Sequence, residues 1–302
     1  MKLRISLFVF CIILNFNSLI AQKDLSWWIP RHLDIYKGGP MAQYLVISPG
    51  LMGPNSLPVP RVKMGEITEK TEFENSVDLH FSKGDQTQNL FSRLYVPFSG
   101  NRVAIELYGV PVEHYKMSDE VRDERLARDS IGKGYSAGDF YFSTSFLLLQ
   151  ENKKRPGLLI EMACKTASGS NLGNARFTDA PAYFFDASFG KSFKKEMSVV
   201  SYRPYGMLGF YAWQTNNLHN RQNDAVLFGA GLNLRFFEIF EINNNIGGYL
   251  GYQSQKDQPV VYRLGISRIW ESATVLLGYQ AGIHHFKYHT LSLKFTRTFN
   301  FQ

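Results

Sequence analysis

Cysteine is nearly absent from this 302-residue chain, occurring only at Cys11 and Cys164. Cys11 lies in an apolar stretch with the features of a cleaved signal, so a single cysteine remains. No disulfide framework is then available, and packing and backbone pairing must hold the fold. Long hydrophobic runs are also missing. No stretch beyond residue 21 carries the about 18 consecutive apolar residues that a helical membrane span needs. Runs of one charge are absent too. The formal charge is +7, but its densest basic groups, Lys153-Lys154-Arg155 and Lys191 with Lys194-Lys195, fall in or beside predicted turns. Scattered charge of this kind argues against nucleic acid as a partner.

What is present begins at the N-terminus. Lys2 and Arg4 precede an apolar run over residues 5–14, and the small residue Ala21 follows a polar stretch. That order predicts a secretory signal over residues 1–21. Its removal takes two positive charges and leaves about 280 residues, a length that one large domain can occupy.

From residue 73 to 302 the sequence alternates with period two, the signature of strands. Val226, Phe228, Ala230, Leu232, Leu234 and Phe236 alternate with Leu227, Gly229, Gly231, Asn233 and Arg235. Leu291, Leu293, Phe295, Phe299 and Phe301 alternate with Ser292, Lys294, Thr296, Thr298 and Asn300. One face is mostly apolar; the other is Gly, Asn, Ser and single charges, the lining of a wet or filled lumen. The predicted strands, near 73–82, 86–98, 101–115, 136–150, 156–167, 178–191, 198–213, 223–236, 239–254, 258–270, 272–283 and 287–301, exceed the about 5–6 residues of ordinary soluble strands. Long connections over 116–135, 168–177 and 214–222 fall on one side, and short turns on the other. That asymmetry, with 15% aromatic residues, predicts an all-β fold: an antiparallel transmembrane β-barrel of about 12 strands in the outer membrane. Arg268 and Arg297 interrupt the apolar face near strand ends, where an arginine reaches headgroups. Outer-membrane lipid, the barrel-assembly machinery and a small solute are the expected partners. No cofactor is expected.

Residues 22–72 differ. Pro40, Pro49, Pro54, Pro58 and Pro60 occur among Gly38, Gly39, Gly50 and Gly53, which excludes a central strand. The segment is either a plug that fills the lumen or a periplasmic arm. In the loop 116–135, Ser118 followed by Asp119 and Glu120 predicts a capped helix, with Glu124 and Arg128 spaced as an i,i+4 pair.

Alternation turns Asp78, Glu106, Glu161, Lys165, Asp186, Arg235, Arg263 and Lys294 toward the lumen. They are read either as an ion-pair network bracing the lumen or as a selectivity lining. His284, His285 and His289 have no carboxylate or cysteine at ligand spacing, so no metal site is expected. No catalytic residue is assigned.

Three resemblances follow. His80-Phe81-Ser82 resembles the His-x-Ser pair of outer-membrane phospholipases, but in that family the pair faces lipid, whereas here Val77, Leu79 and Phe81 form the apolar set and turn His80 and Ser82 inward. Gly138-Asp139-Phe140 opening a strand, Lys165-Thr166-Ala167-Ser168-Gly169 closing the next, and Thr178-Asp179 entering another are similar to the barrels of the phenol meta-degradation and hydrophobic-solute transporter families, with one extra residue between Lys165 and Ser168-Gly169. The run from Gly53-Pro54-Asn55 to Asp186 also resembles uncharacterised conserved outer-membrane barrels. The transporter resemblance implies passage of a small or hydrophobic solute. A non-conducting structural or partner-binding barrel is the alternative, and a lipid-modifying enzyme the least supported.

Overall fold

The computed structural model describes residues 26–39 and 43–299. The predicted signal and the closing Asn300, Phe301 and Gln302 lie outside the described residues. The chain divides into two compact units, Met1–Tyr36 and Lys37–Gln302. In the first, Pro30 fits the start of a short 3-10 turn, Ile29–Arg31, because its fixed φ suits the first helical positions. The Trp28 ring stacks on His32 at 4.1 Å.

The second unit is a closed antiparallel barrel. Its wall runs β1 (Thr71–Ser82), β2 (Asp85–Phe98), β3 (Val103–Met117), β5 (Phe140–Leu149), β6 (Gly157–Lys165), β7 (Ala182–Gly190), β9 (Val200–Gln214), β10 (Gln222–Phe236), β11 (Phe240–Gly251), β12 (Val260–Ile269), β13 (Ala273–His284) and β14 (His289–Phe299). β14 pairs with β1 from Thr71↔Phe299 to Phe81↔His289, so twelve strands close without an edge. Two short strands were not foreseen. β4 (Lys133–Ser136) extends the end of β3, and β8 (Phe193–Lys194) pairs with the start of β9.

Alternation does what period two requires. Val77, Leu79, Phe142, Met162, Phe185, Leu208, Leu277, Leu293 and Phe295 stand exposed around the outside. An apolar belt of this extent is stable only against lipid. Arg268 lies on that outer face, 4.5 Å above the Phe240 ring and 5.6 Å from that of Trp270. These belong to an aromatic rim where cation–π contact and headgroups offset the exposed charge.

The two longest connections, 118–139 and 166–181, share one end of the barrel, the loop mouth, with 83–84, 215–221, 252–259 and 285–288. Residues 99–102, 150–156, 191–199, 237–239 and 270–272 close the other end, the turn mouth. Phe237 and Glu238 both have positive φ, 53° and 58°, the twist that suits a tight hairpin. In the longest loop, α1 (Asp119–Glu124) starts as expected: Val121 N donates to the Ser118 side chain. The Glu124–Arg128 pair does not form. The helix stops at Glu124 and Leu126 turns left-handed at φ 54°, which takes Arg128 off the helical face.

Glu124 instead receives hydrogen bonds from Lys287 Nζ (2.6 and 2.9 Å) and Lys256 Nζ (2.9 Å), clasping three loops together. Partial burial pushes its carboxyl up, but Lys287 and Lys256 outweigh this and hold it at about 2. A lowered pKa stabilises the folded clasp above the ordinary carboxylate value of about 4.3, and this contribution is lost as pH falls through about 2. Amide exchange over residues 119–131 is therefore expected to accelerate between pH 5 and pH 2 beyond the intrinsic rate change. In Glu124→Gln that extra acceleration should vanish.

Barrel geometry explains why the lumen needs more than its wall. At a strand spacing of about 4.8 Å and a tilt of about 40°, twelve strands give a backbone radius of about 12 Å, against about 8 Å for eight. Eight-stranded interiors are filled by wall side chains alone. The added space of about 8 Å in diameter admits roughly one extended chain. Residues 44–68 occupy it.

Candidate functional site in the barrel lumen

The lumen segment is fixed along its length by polar contacts with the wall. Ser48 Oγ donates to Gln255 O at 2.5 Å, Gly50 N to Lys256 O at 3.0 Å, and Gly53 N to Ala175 O at 2.7 Å, all at the loop mouth. Lower down, Asn55 donates to Asn89 and Glu113, Tyr249 donates to Leu57 O at 2.8 Å, and Arg263 donates to Val59 O at 2.6 Å. At the turn mouth Arg203 donates to Met64 O, and Thr68 N donates to the Tyr95 hydroxyl. Proline-rich backbone has few donors and no ladder of its own, so the wall supplies the partners.

Small residues let the segment approach. Val62 packs over Gly229 and Gly247, where an added Cβ would come within 2.5 and 3.1 Å of its methyl groups. At the turn mouth a Cβ on Gly190 would stand 2.2 Å from Met64 O. The inward glycines of β7, β10 and β11 are thus seats for the segment.

Two layers result. Toward the loop mouth, Leu45, Ile47, Met52, Leu57 and Val59 pack with Phe184, Tyr211, Trp213, Leu227, Tyr249 and Phe286. Beside this apolar layer the fully buried Arg176 closes the mouth. Its Nε donates to Glu113 at 2.8 Å and its terminal nitrogens to Asp85 at 2.9 Å and Thr87 at 2.7 Å, with the Tyr115 ring 4.7 Å away. Arg125 and Tyr288 also donate to Asp85, each at 2.7 Å. The Arg176 guanidinium is held above its ordinary value because, against burial, Glu113 and Asp85 favour its charge.

Toward the turn mouth the lumen is charged. Arg61 pairs with Glu74 at 2.7 Å, and Arg93 reaches Glu72, Glu74 and Glu106. Lys63 pairs with Glu106 and lies 3.4 Å from Glu161. Between the segment and the barrel wall lies a cavity of about 600 Å³, lined by every wall strand except β10. It extends from Thr68, Glu72 and Thr298 near the turn mouth to His80, Thr290 and Phe286 beneath the loop mouth, lined between by Ser76, Leu276, Ser292 and Thr296. This is the volume range of small-molecule sites.

The eight lumen charges read from the sequence separate into groups. Asp78, Glu106, Glu161, Arg263 and Lys294 border the cavity; Lys294 stands 3.3 Å from Glu74 and Asp78 accepts from Asn89. Asp186 is buried behind it, opposite Glu161 on the β6–β7 ladder. Arg235 sits at the turn-mouth rim, 2.9 Å from Glu241. Lys165 lies under the loops, 2.8 Å from Asp139, donating to Thr178 and Ala180 O. With Gly169 N donating to Asp139, the separated Gly-Asp, Lys-x-x-Ser-Gly and Thr-Asp pieces meet in one place. His80 points inward, 2.8 Å from Thr290 and 2.6 Å from Asn89, away from lipid. Among the described residues no group of three or more His, Cys, Asp or Glu has the geometry to hold a metal ion.

Sequence reasoning overlooked Arg61, Lys63, Glu74, Arg93, Glu113 and Arg176. Glu74 shares its parity with Asp78 and was legible from that. Glu113 was not, because β3 carries a bulge: Leu90 pairs with Val112, but Ser92 pairs with Gly109. The extra residue near Pro111 moves the inward set from Ala104 and Glu106 to Glu113 and Tyr115.

No family model matches the sequence, and no curated protein does. Solved structures do match. An outer membrane channel from Pseudomonas putida F1 aligns over 81% of this chain and 97% of its own, with a TM-score of 0.51 and 12% identity. The fold is that of an outer-membrane β-barrel. The transport unit of the autotransporter AIDA-I from Escherichia coli covers 80% of this barrel chain and 93% of its own (TM-score 0.48, 9% identity). The beta domain of the Bordetella autotransporter BrkA covers 77% and 100% (TM-score 0.44, 8% identity).

Proposed function

We propose that this outer-membrane barrel passes a small solute through its lumen, with residues 44–68 as the plug that narrows the route. The observation that carries this reading is the cavity of about 600 Å³ between the plug and the barrel wall. Its lining combines carboxylates and guanidinium or ammonium groups with the apolar Val59, Phe91, Leu159 and Leu276, a surface suited to a small amphipathic molecule. Asp78, Glu106, Glu161, Arg263 and Lys294 are the proposed selectivity lining, whereas Lys165, Asp186 and Arg235 brace the structure around it. Outer-membrane lipid and the barrel-assembly machinery are the partners that this role requires. The competing reading, a non-conducting barrel, draws on the buried Arg176 network at the loop mouth.

The test is conductance of the refolded chain in a planar bilayer, compared with Ser292→Trp. Ser292 faces the cavity, and an indole there fills the route without touching lipid. Steady conductance that falls several-fold in Ser292→Trp, with unchanged heat modifiability, is the expected result. Equal conductance in both would move the route away from this cavity. Silence in the full chain and in a chain lacking residues 22–66 would overturn transport.

A further inference from the structure

The contacts of the lumen segment follow a direction. Ser48, Gly50 and Gly53 bond to Gln255, Lys256 and Ala175, all in loop-mouth connections. Met64 and Thr68 bond to Arg203 and Tyr95 close to the turn mouth, and Lys70 donates to Glu271 O in the 270–272 turn. β1 then starts at Thr71 and climbs back. The chain therefore descends the lumen once, from the long loops to the short turns, before the first wall strand.

This descent sets where the preceding residues stand. Asn216, in the connection 215–221, donates to Leu45 O, and Trp213 Nε1 donates to Ile47 O at 3.2 Å. Lys37, Gly38 and Tyr44 form their own knot just above: the Tyr44 hydroxyl donates to Gly38 O at 2.7 Å and accepts from Lys37 N at 2.9 Å. Long loops of bacterial outer-membrane barrels face the exterior and short turns the periplasm.

We propose that the barrel displays part of its own N-terminal segment: Lys37, Gly38, Gly39, Gln43 and Tyr44 stand on the cell exterior, and the lumen segment tethers them to β1. A segment lying wholly at the periplasmic mouth would make no contact with Gln255, Lys256 or Ala175. Display does not depend on solute passage. A barrel that conducts nothing would still present these residues outside.

The experiment uses single-cysteine variants of the full chain in a Cys164→Ser background, labelled on intact cells with a membrane-impermeant maleimide. Lys37→Cys reports the segment, Ile131→Cys the longest loop, and Lys153→Cys the opposite mouth. All three residues are exposed. Lys37→Cys is expected to label on intact cells to the same extent as Ile131→Cys, while Lys153→Cys labels only after permeabilisation. Protection of Lys37→Cys until permeabilisation would overturn display. If that variant assembles poorly, an epitope inserted between Gly38 and Gly39 and read with antibody on intact cells gives the same two outcomes.

Discussion

A chain lacking residues 22–66 is expected to conduct roughly tenfold more than the full chain, since the wall side chains of twelve strands leave an open lumen that eight would fill. It is also expected to favour cations. The deletion removes Arg61 and Lys63 but leaves Glu72, Glu74, Glu106 and Glu161, which those cations and Arg93 neutralise in the full chain. Rings of uncompensated carboxylates select cations, and the preference should weaken as salt rises and the Debye length shortens. Bilayer recordings of reversal potential under a salt gradient measure both effects. The deletion also strips Leu45, Ile47, Met52, Leu57 and Val59 from the apolar layer, so heat modifiability must be checked alongside. Lys63→Met, which retains the apolar contacts, should shift selectivity in the same direction by a smaller amount. Unchanged selectivity in both variants would remove the lumen carboxylates from the solute route.

Arg176→Met is expected to lower stability by about 3–5 kcal/mol, the cost of leaving buried charge without its partner. Asp85 and Glu113 are fully buried and meet in the same guanidinium. Methionine keeps the volume of the aliphatic stem but supplies no donor. Arg176→Lys retains charge but loses the planar fork that reaches Glu113, Asp85 and Thr87 together, so it should fall between the two. Urea unfolding in lipid vesicles, followed by tryptophan fluorescence, measures the loss. Combining Arg176→Met with Glu113→Gln should restore much of it, because Asp85 keeps its pair with Arg125 and an amide costs less to bury than an unpaired carboxylate. A deficit that persists in the double variant would mean that Arg176 acts through packing on Tyr115.

The wall was legible because period two is local. Phe73, Val77, Leu79 and Phe81 alternate with Glu74, Asp78 and His80 whatever the strand pairs with, and lipid on one side leaves a single register open to it. The same holds for Leu291, Leu293 and Phe295 against Ser292 and Lys294. The two longest connections, the capped helix at Ser118 and the inward turn of His80 were readable for the same reason, whereas 191–199 is longer than 215–221, the reverse of the expected asymmetry. The expected Glu124–Arg128 pair failed because helix length depends on the loop around it.

The sequence by itself determined the closed wall, its approximate strand number, its lipid face and the parity of most inward charges. Each follows from steric alternation and from the need to satisfy every backbone group in lipid. The tertiary structure alone decided the occupant of the lumen and the partners of its charges. Arg61, Lys63 and Arg176 lie in segments without a period, and Glu113 lies beyond a bulge that resets one. Their roles exist only where the chain passes down through the barrel it later builds, bringing residues far apart in sequence within hydrogen-bond reach.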